Sequence, residues 1–68
     1  KLQAAKQVDI NHAGAEELER LPQIGPLMAQ RIIDYRAAHG PFRGPDDLLD
    51  VPGIGPATLN AIKDDVTW

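Results

Sequence analysis

Two stretches decide the fold: LPQIGPLMAQRIID, residues 21–34, and VPGIGPATLNAIKD, residues 51–64. They are copies of one pattern displaced by 30 residues. Leu18, Pro22, Ile24, Gly25, Pro26, Ile32 and Asp34 recur as Leu48, Pro52, Ile54, Gly55, Pro56, Ile62 and Asp64, and Leu21 matches Val51 in character. So many matches at a single offset indicate an internal duplication, which organises the rest of the chain.

Both copies carry the same punctuation. A short helix is expected after a glycine, over 15–20 behind Gly14 and over 45–49 behind Gly44. Glycine is an acceptable N-cap, and Pro45 suits the first helical position because its missing N–H is not needed there. Glu16 and Glu17, then Asp46 and Asp47, put acids in the first turns, where the helix dipole favours them. Pro22 and Pro52 stop these helices, since proline has no N–H to give and clashes with the preceding turn. The reversals Gln23-Ile24-Gly25 and Gly53-Ile54-Gly55 follow, each predicted to use a glycine at positive φ. Pro26 and Pro56 then open the second helix of each pair.

Working outward, Ala29, Ile32, Ile33 and Arg36 share one face of a helix over 26–38, and Leu59, Ile62 and Val66 repeat the spacing later. Arg36 follows Ile32 by one turn and is expected to lie along the core edge. Gly40-Pro41 ends the long helix, and Phe42 falls in the connector between the copies. Val8 and Ile10 alternate with polar residues as an extended arm against the helices, and no strand pair is expected. The fold class is therefore all-α, with four to five short helices in one compact domain over 8–68. The first hairpin unit covers about 15–39 and the second about 45–66, with 1–7 as a flexible lead-in.

The composition excludes several functions. No apolar run approaches the ~20 residues of a membrane span, so no membrane contact by this chain is expected. There is no cysteine, hence no disulfide framework, thiolate metal site or thiol nucleophile. A chain of 68 residues is too short to wall in a substrate pocket of roughly 300–1,000 Å³, so no enzyme and no small-molecule substrate are expected. His12 and His39 lack a third ligand and do not read as a metal site. The net charge is −3, unhelpful for a nucleic-acid binder, but unevenly spread. Residues 45–68 set Lys63 against Asp46, Asp47, Asp50, Asp64 and Asp65, leaving −4 there. These acids read as a solvated face. Tyr35 and Phe42 read as core plugs, because so few aromatics are present, and Trp68 as a lid or a frayed end.

VDINHAGAEELERLPQIGP (8–26), AQRIIDYRAAHGPF (29–42) and DDLLDVPGIGP (46–56) together resemble a tandem helix-hairpin-helix domain, (HhH)2, and more narrowly the DNA-binding domain of the ComEA competence family. The resemblance covers roughly residues 8–66. It implies sequence-independent binding of double-stranded DNA through the minor groove, as a receptor in DNA uptake during natural transformation. It further implies a place outside the cytoplasmic membrane, periplasmic or anchored, and other DNA-uptake proteins as partners. Relatives often hold a monovalent cation on hairpin carbonyls. Here those oxygens would belong to Leu21, Ile24, Val51 and Ile54, with no other cofactor expected.

The physical logic of such a site is simple. A hairpin ending at a helix N-terminus exposes N–H groups with no intrahelical partner, and the dipole adds positive potential there. Pro26 and Pro56 have no N–H, so the donors are Gly25, Leu27 and Met28 in one copy and Gly55, Ala57 and Thr58 in the other. Glycine lets a phosphate approach without a Cβ in the way. Main-chain donors position a duplex without reading its bases. Gln23 and Gly53 are counted with these as expected DNA-binding residues; relatives usually have glycine at residue 23 as the second copy does at Gly53, and Gln23 either donates a side-chain hydrogen bond to phosphate or spoils the close approach. The second hairpin also lacks the lysines common in relatives, with Ala57, Thr58, Asn60 and Ala61 in their place. Arg31, one turn into the long helix, is the side chain best placed to support the amides. The expected binding is weak and salt-sensitive. The alternative is a protein-interaction or structural module of the same fold that has lost DNA, consistent with the acidic second half.

Overall fold

The structure, a computed structural model, describes residues 7–68. The lead-in expected over 1–7 lies outside the described residues except for Gln7. In chain order the elements are β1 (Val8–Asp9), α1 (Ala15–Leu18), α2 (Pro26–His39), α3 (Pro45–Leu48), α4 (Pro56–Ile62), a 3-10 turn (Lys63–Asp65) and β2 (Val66–Thr67). The fold is all-α in character, with the helices arranged as the duplication requires. Gly14, Gly25, Gly44 and Gly55 are the four N-caps.

The short helices end before the prolines that were expected to stop them. After Leu18 the backbone tightens to bonds three residues apart, Arg20 N to Glu17 O at 3.1 Å and Leu21 N to Leu18 O at 3.0 Å. Asp50 N to Asp47 O at 3.2 Å and Val51 N to Leu48 O at 3.1 Å repeat the arrangement. Such tightening satisfies helix-end carbonyls without an extra residue. Pro22 and Pro52 follow a helix already closed. α2 ends at Gly40, whose φ of 93° suits only glycine and whose N–H donates to Arg36 O at 2.9 Å.

The core is built from the duplicated positions. Leu18 and Leu48, Leu21 and Val51, Ile24 and Ile54, Ile32 and Ile62 are all buried. Each such side chain contributes about 1.5–3 kcal/mol when fully withdrawn from water. Neither copy closes this core alone. Phe42 fills its centre from the connector. Tyr35 is half-buried, stacked on Phe42 at 5.5 Å and on His39 at 4.2 Å between ring centroids.

The arm packs as expected, with Val8, Ile10 and Ala13 buried, but its pairing corrects the sequence reading. β1 and β2 form a parallel two-stranded sheet with Val8 opposite Val66 and Asp9 opposite Thr67, and Ile10 N donates to Thr67 O at 3.1 Å. Strands of two residues are too short to show an alternating pattern, so the sequence carries no signal for them. Val66, expected on a helical face, is instead a buried strand residue beyond the 3-10 turn.

Two side chains lock the arm. Asn11 clamps the Phe42 peptide groups, its Oδ1 accepting from Phe42 N at 2.6 Å and its Nδ2 donating to Phe42 O at 2.9 Å. Arg36 donates from Nη1 to Ile10 O at 2.9 Å and from Nη2 to Ala13 O at 2.7 Å. The structural role expected of Arg36 is found, with a hydrogen-bonding content that spacing did not suggest.

Candidate nucleic-acid interface

The two hairpins are built alike. Ile24 N donates to Leu21 O at 3.2 Å, and Ile54 N to Val51 O at 3.0 Å. The first intrahelical bonds run from Ala29 N to Gly25 O and from Leu59 N to Gly55 O, both 2.9 Å. The amides of Gly25, Leu27 and Met28, and those of Gly55, Ala57 and Thr58, have no acceptor among the described residues. Leu27 is 66% exposed beside the first set.

Gly25 and Gly55 have extended backbones, φ −98° and −108° with ψ −172° and −175°, which any residue can adopt. A Cβ built on either meets nothing within 4 Å. Both positions are N-caps, where glycine is among the favoured residues, and neither backbone angle nor packing excludes a side chain there. The positive φ lies two residues earlier instead, at Gln23 (67°) and Gly53 (96°). The expectation of a glycine at positive φ thus holds for Gly53 and fails in the first copy, where Gln23 carries the strained conformation. The signal was available in the sequence, because Gln23 and Gly53 are equivalent at the repeat offset.

The hairpins touch each other reciprocally. Gln23 Oε1 accepts from Thr58 Oγ1 at 3.3 Å, while Gly53 packs against Met28. Residues 23 and 53 are equivalent in the repeat, as are 28 and 58, so the two contacts exchange under an internal twofold. The two sets of unpaired amides therefore lie on neighbouring hairpins that touch each other. Arg31 reaches across as well, Nη1 donating to Pro52 O at 3.2 Å. It is half-buried, and among the described residues its other guanidinium donors meet no acceptor.

The remaining candidates are dispersed. Leu21 O and Val51 O, proposed as cation ligands, each accept one hydrogen bond within their own hairpin. His12 Nδ1 pairs with Asp9 Oδ2 at 2.7 Å, and His39 stacks on Tyr35. Asp47 bonds to Arg43 N and Nε, and Asp50 accepts from the Tyr35 hydroxyl at 3.4 Å. Trp68 is exposed at the end of β2. Among the described residues no helix is long and apolar enough to cross a membrane.

A duplicated helix-hairpin-helix with its two hairpins in contact defines the class: a tandem helix-hairpin-helix domain. A sequence model of the helix-hairpin-helix motif matches residues 3–67, and the chain belongs to that family, in its ComEA-like form. It is 41% identical over 63 residues to an uncharacterized protein of Haemophilus influenzae, covering 91% of this chain and 56% of that one. It is 40% identical over 60 residues to ComE operon protein 1 of Bacillus subtilis, covering 88% of this chain and 29% of that protein. It is likewise 40% identical over 60 residues to endonuclease/exonuclease/phosphatase family domain-containing protein 1 of mouse, covering 10% of it. The chain thus spans about half, under a third and a tenth of these three relatives.

Proposed function

We propose that this domain binds double-stranded DNA without regard to sequence, by holding one phosphate backbone at each hairpin through unpaired amides. The observation that carries the reading is the six amides of Gly25, Leu27, Met28, Gly55, Ala57 and Thr58, which have no acceptor among the described residues, with the space over the N-caps Gly25 and Gly55 left open. Six amide donors at the N-terminal ends of two helices, on hairpins in contact, suit phosphate oxygens. Likeness to ComE operon protein 1 supports a receptor role in DNA uptake during competence, with other uptake proteins as partners and an extracytoplasmic location. The domain acts by binding and not by catalysis.

A monovalent cation fits the same scheme. Leu21 O and Val51 O each keep one lone pair after their hydrogen bond, and with Ile24 O and Ile54 O they offer weak, neutral oxygen ligands beside the amides.

Fluorescence anisotropy of a labelled mixed-sequence duplex tests the reading, at low and near-physiological salt. Binding is expected to be salt-sensitive and indifferent to sequence. Gly25→Val and Gly55→Val should each abolish most of it while the far-ultraviolet circular dichroism stays unchanged. Full affinity in both variants would remove the amide-cradle account.

The charge of −4 over residues 45–68 favours a second reading, a module that docks a basic protein. It predicts binding to poly-lysine where DNA fails to bind.

A further inference from the structure

We propose that Met28 is a reversible oxidation site, and that its sulfoxide is held by the neighbouring Arg31 guanidinium at the contact between the two hairpins. The readouts are mass and stability, so neither depends on DNA binding.

Met28 carries the single sulfur atom of the chain, which has one methionine and no cysteine. It is half-buried at the edge of the core, so solvent reaches part of it. Its packing partner Gly53 lies in the left-handed region at φ 96° and brings no side chain to cover the thioether. The equivalent residue of the second copy is Thr58, whose hydroxyl hydrogen-bonds across the twofold-related contact to Gln23. That position of the repeat therefore accommodates a polar oxygen.

Arg31 follows Met28 on α2 at the i, i+3 spacing that brings helix side chains together. The position that a Cβ on Gly53 would take is 2.9 Å from Arg31 Nη1 and 3.6 Å from Met28 Sδ. Sulfur and guanidinium thus converge on the same glycine. A thioether is only a weak acceptor, and Nη1 donates instead to Pro52 O at 3.2 Å. The other guanidinium donors meet no acceptor among the described residues. Oxidation supplies one.

The oxidant is a hydroperoxide. A lone pair on Sδ attacks a peroxide oxygen, so that an S–O bond forms as the O–O bond breaks. The second oxygen leaves with a proton, as water or an alcohol, and sulfur has given two electrons to the peroxide. Sulfoxide reductases reverse the step with a dithiol, which closes to a disulfide while the oxygen leaves as water. The apolar thioether that fills the hairpin contact becomes polar and larger, which loosens the contact. A hydrogen bond from Arg31 limits that loss.

Hydrogen peroxide treatment of the folded domain, followed by peptide mass analysis, should place one oxygen on Met28. Urea unfolding of the oxidised domain should then give an unfolding constant raised about tenfold, as for a polar group placed in an apolar contact. In Arg31→Ala, compared with its own reduced form, the same oxidation should cost about tenfold more, because the sulfoxide has lost its charged donor. Met28→Leu keeps the volume without the sulfur, and its unfolding should not respond to peroxide. Reductases for both sulfoxide epimers, with a dithiol, should restore the parent midpoint. Four results overturn the proposal. They are a Met28 that oxidises only in the urea-unfolded chain, equal oxidation costs in parent and Arg31→Ala, a peroxide response retained by Met28→Leu, and a midpoint that the reductases leave unrestored.

Discussion

Met28 occupies the space that a side chain at Gly53 would need: a Cβ there would lie 2.5 Å from Met28 Cε and 2.9 Å from Arg31 Nη1. At the equivalent contact the sizes are reversed, with the larger Gln23 against the smaller Thr58. Large meets small on both sides of the internal twofold, and this exchange sets how closely the hairpins approach. The departure from the repeat at residue 23 is therefore matched by one at residue 58.

Gly53→Ala is expected to destabilise the domain by about 1–3 kcal/mol. An L-residue in the left-handed region costs roughly 1–2 kcal/mol, and Met28 must move as well. Adding Met28→Ala should relieve the steric part but not the backbone part, so urea unfolding of the two variants separates them. An unchanged midpoint in Gly53→Ala would show that the contact carries no energy.

Arg36→Ala should cost about 3 kcal/mol, because it leaves the carbonyls of Ile10 and Ala13 without their charged donor in a partly buried place. Arg36→Lys is expected to recover little, since one ammonium lacks the planar fork that spans two acceptors. Chemical denaturation gives both numbers; full rescue by lysine would contradict the bridging geometry.

Arg31→Ala should weaken binding to all duplexes alike and lower the slope of log affinity against log salt by about one, as loss of a single phosphate contact does. The hydrogen bond to Pro52 O uses one donor of the guanidinium and leaves its charge at the hairpin. A slope equal to the parent's would assign Arg31 to holding the second hairpin instead.

Asp9 gives the domain an acid-sensitive joint. The hydrogen bond from His12 holds its carboxyl below the ordinary value of 3.8, with further help from the Asn11 and His12 amides. A folded-state pKa that is depressed adds stability above the unfolded value, and that stability is lost as pH falls through the folded one. Melting temperature should therefore drop on acidification through and below pH 3.8. Asp9→Asn should flatten that part of the profile. Identical acid limbs for the two proteins would locate the sensitivity elsewhere.

Much of the molecule was legible because duplication writes each instruction twice. The repeat offset by itself determined the paired helices, the glycine N-caps, the proline starts of α2 and α4, and the core pairs such as Ile32 with Ile62. It also marked Gly25 and Gly55 as candidates. These are local or periodic properties, set by backbone sterics and by the 3.6-residue spacing of one helical face. Only the tertiary structure decided the β1–β2 pairing, the Asn11 clamp on Phe42, the Arg36 bridge to the arm and the reciprocal contacts between hairpins. Each of these joins residues 23 or more positions apart through a few hydrogen bonds or a single close approach. Such contacts leave no periodic trace, since they depend on where folded elements come to rest and not on what each element is.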